Sequence, residues 1–476
     1  ALAIIAWVAV TFLIGKRMGS DRRGLVAGIV LLTSLGTFTL GRVVMPEPMF
    51  SAFIAAAIYC VLRGAGEATP HRRAWFLGFW LCASLASFTK GWHGLFYPLA
   101  IVLVAALLSR RERKHLKGLL SWQGALLFLL INLPWYIYVE SRFPGYLHNL
   151  LVAEQLGHVI GASSPATSYA DVPRMQFLLL HLAWFFPWSV TIVLAIPLAA
   201  GLVRRQLPAR SFSASVVVAW IAVVLGSVLL AGQRQDYYAM SMWPALALTV
   251  AWILERPRIQ PLIAVLAIAL IACLAWSQTL PVLAPRSGSA TLAERATAWT
   301  TLLSFDRAVW ETLLSTAWFS LGGAVLFALL GLCHGRWMVK LSAVAAAAVC
   351  LDLGAVSGTS LVAPYFSLAK MAKSIPENTH IVYDGGIDTG SSLLFYSNSQ
   401  VILLDQNPDD DFIVRKFGIG RDRFLTISEF VEFWKSATQT VFITEESKLA
   451  GWREILGMSL DPAAQSGTQI LVKKVP

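Results

Sequence analysis

Twelve apolar runs, separated by short polar loops, limit what this sequence can fold into. A helix needs about 20 apolar residues to cross a bilayer, and the runs reach or approach that length. The chain is 57% hydrophobic and 14% charged, whereas soluble proteins carry roughly 25% charged residues. The sequence therefore predicts a polytopic α-helical membrane protein. The runs lie at 1–14, 24–42, 49–63, 74–89, 94–108, 119–139, 176–200, 213–231, 239–254, 261–281, 316–333 and 338–356.

Basic residues fall in every second loop between these runs. All of those loops can face the cytoplasm together, as the positive-inside rule requires. The net charge of +11 is therefore a topology signal and does not indicate nucleic-acid binding. The remaining loops are predicted to face outward, and they lie at 41–48, 90–93, 140–175, 233–238 and 282–315.

The first outward loop contains Arg42 and Glu47, with Glu47 between Pro46 and Pro48. Proline fixes φ and stops a helix from running through, so we expect a short rigid turn that presents Glu47 together with Arg42. Ionisable groups at membrane depth indicate a functional site. The alternative is a polar hairpin in which Glu47 caps the second helix.

The other outward loops are also rich in polar side chains. A single cation at a helix end is usually a snorkelling anchor, but several on one face beside a carboxylate favour a binding site. The segment 144–160 has apolar residues near helical period, which predicts a helix along the membrane interface. The candidates are Lys90 and His93 in the second loop, Glu154, His158 and Asp171 in the third, and Arg234 and Tyr238 in the fourth.

From about residue 365 to 476 the composition changes to that of a small soluble α/β domain, which the topology places outside. Residues 1–360 form the membrane domain. Asp409-Asp410-Asp411 reads as a solvated turn and only as a weak metal candidate. The predicted strands are His380–Asp384, Ser392–Tyr396, Val401–Asp405, Thr440–Thr444 and Gln469–Lys474, and the predicted helices are Ser428–Lys435 and Glu445–Leu456.

Familiar soluble-enzyme signatures are absent from the sequence. No P-loop, GxGxxG, HExxH or GxSxG occurs in a fitting context, which argues against an ATP-driven pump or a soluble-type hydrolase. The five cysteines lie in apolar runs without metal-ligand spacing, so we interpret them as small buried hydrophobic residues.

The order and spacing of several motifs resemble the GT-C class of integral membrane glycosyltransferases. The likeness covers the whole chain and is nearest to the lipid A aminoarabinose transferase and dolichyl-phosphate-mannose-protein mannosyltransferase-like family. Gln155 and His158 depart from that pattern, where the family often has His and Arg. The matching motifs are Val44-Met45-Pro46-Glu47-Pro48, Phe88-Thr89-Lys90-Gly91, Pro134-Trp135, Phe143-Pro144-Gly145-Tyr146, Ala153-Glu154-Gln155-Leu156, Phe186-Pro187-Trp188, Arg234 to Tyr238 with Pro244, and Arg423 to Phe430.

The resemblance implies an inverting transfer of a hexose or pentose from a polyprenyl-phosphate donor to a lipid or protein acceptor. The reaction would take place on the outer face of the bacterial cytoplasmic membrane, as in lipid A modification of the cell envelope. Cations would stabilise the leaving phosphate and a carboxylate would take the acceptor proton. No cofactor is indicated beyond the lipid-linked donor, and a divalent metal near Glu47 stays open. We expect Glu47 and Lys90 to be catalytic, and the substrate to be bound by Arg42, Lys90, His93, Glu154, His158, Arg234 and Tyr238.

A further expectation concerns the segment before the N-terminal residue of this sequence. The chain begins with Ala1 inside an apolar run, and the family carries its leading carboxylate between its first two helices. We therefore expect that loop, and a thirteenth helix, upstream of Ala1.

A flippase for a lipid-linked sugar is the main alternative function, although no internal repeat is visible. A non-catalytic member whose outer domain binds a partner is a third.

Overall fold

The structure is a computed structural model that describes residues 1–66, 69–109, 116–160, 172–194, 211–255, 259–277, 307–436 and 439–474. They form two compact units, a larger one made chiefly of the helices before residue 357 and a smaller one made chiefly of residues 357–476. The helices of the first part are α1 Leu2–Met18, α2 Asp21–Leu32, α3 Leu35–Leu40, α4 Glu47–Gly64, α5 Arg72–Lys90, α6 His93–Leu108, α7 Trp122–Arg142, α8 Tyr146–His148, α9 Gly157–Ile160, α10 Arg174–Trp184, α11 Phe212–Leu230, α12 Trp243–Leu254, α13 Ile259–Ser277, α14 Arg307–Cys333 and α15 Trp337–Phe366.

Every predicted apolar run contains helix in the part of the chain that the structure describes. Five described helices are long and apolar enough to cross a membrane: α4, α7, α11, α14 and α15. Shorter apolar helices occur at His93–Leu108, Met240–Leu254 and Ile263–Ala275. The predicted polytopic helical fold is therefore confirmed.

One predicted run, 24–42, is not a single helix. It divides into α2 and α3 at Thr33 and Ser34. The Thr33 hydroxyl donates to the Ile29 carbonyl at 2.7 Å and accepts from the indole nitrogen of Trp188 at 3.0 Å. Local side-chain bonds of this kind compete with the helical hydrogen-bond ladder, which accounts for the break.

Close helix packing in the first unit depends on small residues. A Cβ added to Gly15 of α1 would lie 2.7 Å from the Cα of Gly24 in α2, so neither position has room for a larger side chain. Small residues of this kind let membrane helices approach closely. Helix α4 packs against both α1 and α5, and its buried residues belong to the main hydrophobic core.

Charged groups from loops predicted to be cytoplasmic meet at one end of this unit. Arg23 donates from Nε to Oε1 of Glu255 at 2.9 Å and also pairs with Oε2 through Nη2. The Arg22 guanidinium lies 3.6 Å above the ring of Trp337. Segments far apart in sequence are therefore joined at the end of the bundle that carries the basic loops.

The smaller unit contains a six-stranded mixed sheet in the order β3-β2-β1-β4-β6-β5. Strands β1, β2, β3 and β4 pair in parallel, and β6 is antiparallel to β4 and β5. Alternate residues of the central strands enter separate cores, as Ile381 and Val382 do, so both faces are covered. The elements are α16 Ala369–Ala372, β1 His380–Tyr383, α17 Ile387–Tyr396, β2 Val401–Leu404, α18 Phe412–Phe417, β3 Phe424–Leu425, α19 Ile427–Ser436, β4 Thr440–Glu445, α20 Leu449–Leu456, β5 Pro462–Ser466 and β6 Gln469–Lys473.

The small α/β domain is confirmed, although one predicted strand is a helix and two strands were not predicted. The predicted strand Ser392–Tyr396 is the end of α17. Parallel strands need a crossover connection, and α17 provides it between β1 and β2. The two strands that the sequence did not predict are β3, which has two residues, and β5, which is mostly exposed. Asp409 to Asp411 form an exposed turn as predicted, and Asp411 caps α18.

The cysteines are free, as their spacing indicates, but they are not all buried. Cys60 is buried, Cys82 and Cys350 are half-buried, and Cys273 and Cys333 are exposed on the surfaces of apolar helices. The prediction that every cysteine is buried is therefore wrong, because an apolar segment also presents faces outside the helix bundle.

Candidate functional site

Two helix ends position the charged centre of the candidate site. Helix α4 begins at Glu47, where Pro46 is the cap and Pro48 occupies the first turn, a position that suits proline. Helix α5 ends at Lys90, and the next residue, Gly91, has a φ of 73°. That left-handed conformation favours glycine and ends the helix. A Cβ on Gly91 would also lie 2.4 Å from Nε2 of Gln155. The glycine of the Thr-Lys-Gly motif therefore ends α5 and leaves room for the side chain of Gln155.

Glu47 and Lys90 form an ion pair between these helix ends. The Nζ atom of Lys90 donates to Oε1 of Glu47 at 2.6 Å. Glu47 is 4% exposed, whereas the Lys90 side chain keeps 27% of its surface accessible. Arg42, which shares the turn with Glu47, is therefore not the cation that pairs with it. Proximity in sequence suggested Arg42, but the packing of α4 against α5 brings Lys90 to the carboxylate.

Aromatic rings surround the Lys90 ammonium. Its Nζ lies 4.6 Å from the ring centre of Tyr238 and 5.8 Å from those of Phe50 and Tyr237. Rings at such distances stabilise a cation electrostatically while leaving its hydrogen-bond donors available. Lys90 is thus held by one carboxylate and several aromatic faces, beside an open volume.

That volume is a cavity of about 390 Å³ with a mainly apolar wall. Three of the predicted outward loops contribute to its wall: 90–93, 140–175 and 233–238. The charged side chain in the wall is Lys90, and none of the described lining residues is a carboxylate. A long apolar group with an anionic end fits such a wall, because the cation lies where the polar end would be. The lining residues are Phe50, Lys90, Trp92, His93, Phe96, Tyr97, Gln155, Val159, Ser227, Val228, Leu230, Ala231, Gln233 and Tyr238.

The loop at 233–238 contributes Tyr238 to the cavity but directs Arg234 elsewhere. Arg234 is 3% exposed and donates from Nη1 to the Val172 carbonyl at 3.2 Å. Its Nη2 donates to the carbonyls of Ala231 at 2.8 Å and Gly232 at 3.3 Å. Arg234 therefore holds the loop in shape and does not line the cavity. Burial raises the pKa of the neighbouring Asp236 carboxyl above its ordinary value.

Arg42 and His93 occupy different surroundings. Arg42 is exposed, donates to the Phe38 carbonyl at 2.7 Å, and stacks on the Phe38 ring at 3.6 Å. His93 begins α6 and lines the cavity, with its ring centre 4.2 Å from that of Trp92. The structure thus places His93 in the cavity wall with Lys90 and leaves Arg42 outside that wall.

The third outward loop is partly described. Residues 149–156 form a π-helix, in which Glu154 accepts from Nδ2 of Asn149 at 3.1 Å. Glu154 does not line the cavity, whereas its neighbour Gln155 does. The side chain of His158 and the whole of Asp171 lie outside the described residues.

Several cavity residues were missed by the sequence analysis. Tyr97 and Ser227 meet across α6 and α11, where the Ser227 hydroxyl donates to Oη of Tyr97 at 3.3 Å. Phe50 and Phe96 supply apolar wall. Tyr97 follows His93 by one helical turn and Phe50 follows Glu47 by three residues. That helical spacing from a candidate was the available signal.

A metal ligand set is not evident in the described part of the chain. No group of three or more His, Cys, Asp or Glu side chains there could hold a metal ion. The Lys90 ammonium already binds Oε1 of Glu47, and a positive group beside this carboxylate disfavours a divalent cation there. The described residues thus do not fit the divalent metal left open above.

The fold is that of a GT-C-like membrane protein, and comparison with known proteins shows which of them it resembles. The structure of ArnT from Cupriavidus metallidurans bound to undecaprenyl phosphate superposes with a TM-score of 0.80 over 100% of this chain and 83% of that one, at 17% identity. The same protein in its apo state gives a TM-score of 0.77. The overall fold is therefore that of ArnT.

Comparison of the sequence with known proteins gives the same likeness as comparison of the structure. Residues 1–150 match the family described as dolichyl-phosphate-mannose-protein mannosyltransferase. The undecaprenyl phosphate-alpha-4-amino-4-deoxy-L-arabinose arabinosyl transferase 2 of Proteus mirabilis is 24% identical over 255 residues, which is 52% of this chain and 44% of that protein. The corresponding transferase of Pectobacterium carotovorum is 26% identical over 49% of this chain and 40% of its own length. The chain spans less than half the length of these two relatives. The resemblance predicted from the motifs is confirmed.

Proposed function

We propose that this protein is a glycosyltransferase that moves a sugar from a polyprenyl-phosphate donor to a lipid acceptor. The main observation in support is the position of the Lys90 ammonium, which lines an apolar cavity and donates a hydrogen bond to Glu47 at 2.6 Å. The likeness to arabinosyl transferases that use undecaprenyl phosphate supports the same donor class here. It also favours a pentose such as 4-amino-4-deoxy-arabinose, and a lipid A acceptor in place of a protein.

In this proposal Lys90 stabilises the phosphate as the glycosidic bond breaks and negative charge develops on it. A preorganised cation in a water-poor site is worth more than the same cation in bulk water. Glu47 is a positioning residue, because its Oε1 is already bound by Lys90 and it holds the ammonium at the cavity. The aromatic rings and His93 would flank the phosphate and the first isoprene units. The acceptor also needs a base to take its proton, and none of the described cavity-lining residues is a carboxylate that could do so.

We further propose that transfer proceeds with inversion at the anomeric carbon. Retaining glycoside hydrolases use a nucleophilic carboxylate about 5 Å from a second acid, and a retaining double displacement here would need a similar nucleophile. None of the described cavity-lining residues is a carboxylate. The acceptor hydroxyl would therefore attack directly and displace the lipid phosphate. Proton NMR of the product's anomeric coupling tests this, and retained configuration would contradict it.

The site is proposed to open on the outer face of the bacterial cytoplasmic membrane, with the domain at 365–476 on the same side. The basic loops at the opposite end of the bundle, including Arg22 and Arg23, support this orientation through the positive-inside rule. Cysteine labelling in intact cells tests it: a Cys at exposed Lys435 should react with an impermeant maleimide, and one at Lys16 should not.

The activity is tested with the full-length protein in nanodiscs, radiolabelled undecaprenyl-phosphate aminoarabinose and lipid A. Wild type should transfer label to lipid A, and Lys90→Ala should lose most of that transfer at unchanged expression. Lys16→Ala, an exposed lysine paired with Asp21 at 2.9 Å away from the cavity, is the matched control. Absence of transfer, combined with movement of donor between leaflets in proteoliposomes, would favour the flippase and overturn the proposal.

A further inference from the structure

Helix α15 is long enough to cross a whole bilayer, including both headgroup layers. It contains 30 residues, from Trp337 to Phe366, and it is a candidate membrane span. At about 1.5 Å per residue, its length is about 45 Å. A bilayer is about 40–45 Å thick when the headgroups are counted. Because Trp337 directly follows the basic loop at Arg336, Phe366 should reach the headgroup layer of the opposite leaflet.

The second half of α17 lies beside this end of α15. The backbone nitrogen of Leu368, two residues after Phe366, donates to Oγ of Ser392 at 2.9 Å. Phe395 and Tyr396 follow Ser392 by three and four residues, so they lie on the same side of α17. The fold of the sheet domain therefore brings an aromatic pair to the point where a membrane-spanning helix ends.

The aromatic side chains at this point are exposed. Phe395 is 80% exposed, Phe366 59% and Tyr396 44%. The rings of Phe395 and Tyr396 meet edge to face, with their centres 4.9 Å apart. In contrast, their neighbour Leu393 is fully buried in the core beneath α17. Single exposed aromatic residues are ordinary, but a group of them marks a binding surface, and aromatic rings are typical of the membrane–water interface.

Two exposed lysines accompany these rings. Lys370 lies in α16, and Lys373 directly follows that helix. Nζ of Lys373 lies 5.1 Å from the ring centre of Tyr396, which joins the segment with the lysines to α17. No acidic residue occurs in 361–376 or in 391–397. The surface therefore combines aromatic rings with positive charge.

We propose that this surface binds the headgroups of anionic phospholipids in the leaflet where α15 ends, and that it thereby anchors the sheet domain to the membrane. Lysine ammonium groups pair with the lipid phosphates, while the aromatic rings enter the boundary between headgroups and acyl chains. The length of α15 favours a lipid surface over a protein partner, because it places these rings at headgroup depth. We call this surface the interfacial patch, and its residues are Phe366, Lys370, Lys373, Phe395 and Tyr396.

Photocrosslinking identifies what occupies the interfacial patch. The full-length protein with Phe395→p-benzoylphenylalanine is irradiated in nanodiscs of phosphatidylcholine and phosphatidylglycerol, and mass spectrometry should detect a covalent lipid adduct. Ile455→p-benzoylphenylalanine is the matched control and should give none. Ile455 is 46% exposed on α20, which covers the opposite face of the sheet. Equal lipid yields at both positions, no lipid adduct at residue 395, or adducts with protein alone would overturn the proposal.

Removing the positive charge tests the preference for anionic lipid. In the Phe395→p-benzoylphenylalanine background, Lys370→Gln/Lys373→Gln should lower the phosphatidylglycerol adduct at least about threefold and change the phosphatidylcholine adduct little. Lys435→Gln, at an exposed lysine on the other face of the sheet, is the control. Thermal unfolding like that of wild type shows that each variant is folded. Equal phosphatidylglycerol yields in the double variant and the control would contradict binding through the lysines. No transfer assay is involved, so failure of the proposed function would not change these outcomes.

Discussion

The Nζ atom of Lys90 lies 2.6 Å from Oε1 of Glu47, across 43 residues of sequence. The carboxylate is buried and the ammonium reaches the cavity. The two charged groups therefore have different roles. The Lys90 ammonium faces the cavity, and the Glu47 carboxylate holds that ammonium in place.

This relationship predicts that substitutions at Glu47 and Lys90 are not additive. Lys90→Ala should lower kcat/KM by about 10²–10³, the range for loss of one electrostatic stabiliser. Glu47→Gln should lower it about tenfold, because the ammonium stays but is less constrained. The double variant should be no worse than Lys90→Ala, since Glu47 acts through Lys90.

The measurement is a double-mutant cycle on initial transfer rates. The Arg23–Glu255 pair at the opposite end of the bundle is the control, and Glu255→Gln should leave kcat/KM nearly unchanged. Additive losses at Glu47 and Lys90 would show that Glu47 contacts substrate by itself.

Arg234 provides a second prediction, because its donors are directed to the carbonyls of Val172, Ala231 and Gly232. Arg234→Ala removes these bonds and should lower the free energy of unfolding by about 1–3 kcal/mol. Arg234→Lys should not rescue it, since an ammonium cannot reproduce the guanidinium fork. Thermal unfolding in detergent checks the effect. Unchanged stability with lost donor binding would instead identify Arg234 as a phosphate ligand.

The sequence predicted Lys90 and Glu47 as site residues because proline, glycine and charge are unusual between apolar runs. It did not predict their pairing, because that depends on how α4 packs against α5. Tyr97 and Ser227 were missed for a related reason. On an apolar helix, a cavity-lining residue has the same spacing as a core residue. The functional roles of all the candidates stay predictions: Arg42, Glu47, Lys90, His93, Glu154, His158, Arg234 and Tyr238.

In the sheet domain, strong strands such as β2 and β4 were predictable because they are continuous buried runs. The segment at Ser392–Tyr396 was assigned wrongly because a short apolar run has the same composition in a strand and in a buried helix. Only the parallel pairing of β1 with β2 determines that it must be helical.

A pH-dependent prediction follows from the start of α19. Oε2 of Glu429 accepts from the backbone nitrogen and the hydroxyl of Thr426, each at 2.8 Å. These bonds hold the pKa of Glu429 below its ordinary value. A lowered folded-state pKa gives stabilisation that is complete above the unfolded value, about 4.3, and is lost as pH falls through the folded value.

Hydrogen exchange of the backbone amides in residues 427–436 checks this prediction. Glu429→Ala should speed exchange at pH 7, and the difference from wild type should shrink below about pH 4. Glu432→Ala, an exposed glutamate on the same helix, should change exchange little at either pH. A difference that persists unchanged at pH 3 would mean that the capping bonds do not need the ionised carboxylate.

The last prediction concerns Asp352, which lies on α15 and was not singled out from the sequence. Asp352 is 1% exposed, and among the described residues neither of its carboxylate oxygens has a hydrogen-bond partner. Arg42 acts on it electrostatically without forming an ion pair within 4 Å. Asp384 in the sheet domain is the opposite case. It is 6% exposed and accepts from Thr444, Lys448 and Trp452 at 2.6–2.9 Å.

Substituting leucine should therefore have opposite effects at these two buried aspartates. Asp352→Leu should stabilise the protein by about 1–3 kcal/mol, because it removes a polar group that is buried without a partner. Asp384→Leu should destabilise it by a similar or larger amount, because three donors lose their acceptor. Thermal unfolding of each full-length variant measures both signs. A loss of stability in Asp352→Leu would show that its carboxylate has a partner at membrane depth, and Arg42→Ala in the same background would then test whether that partner is Arg42.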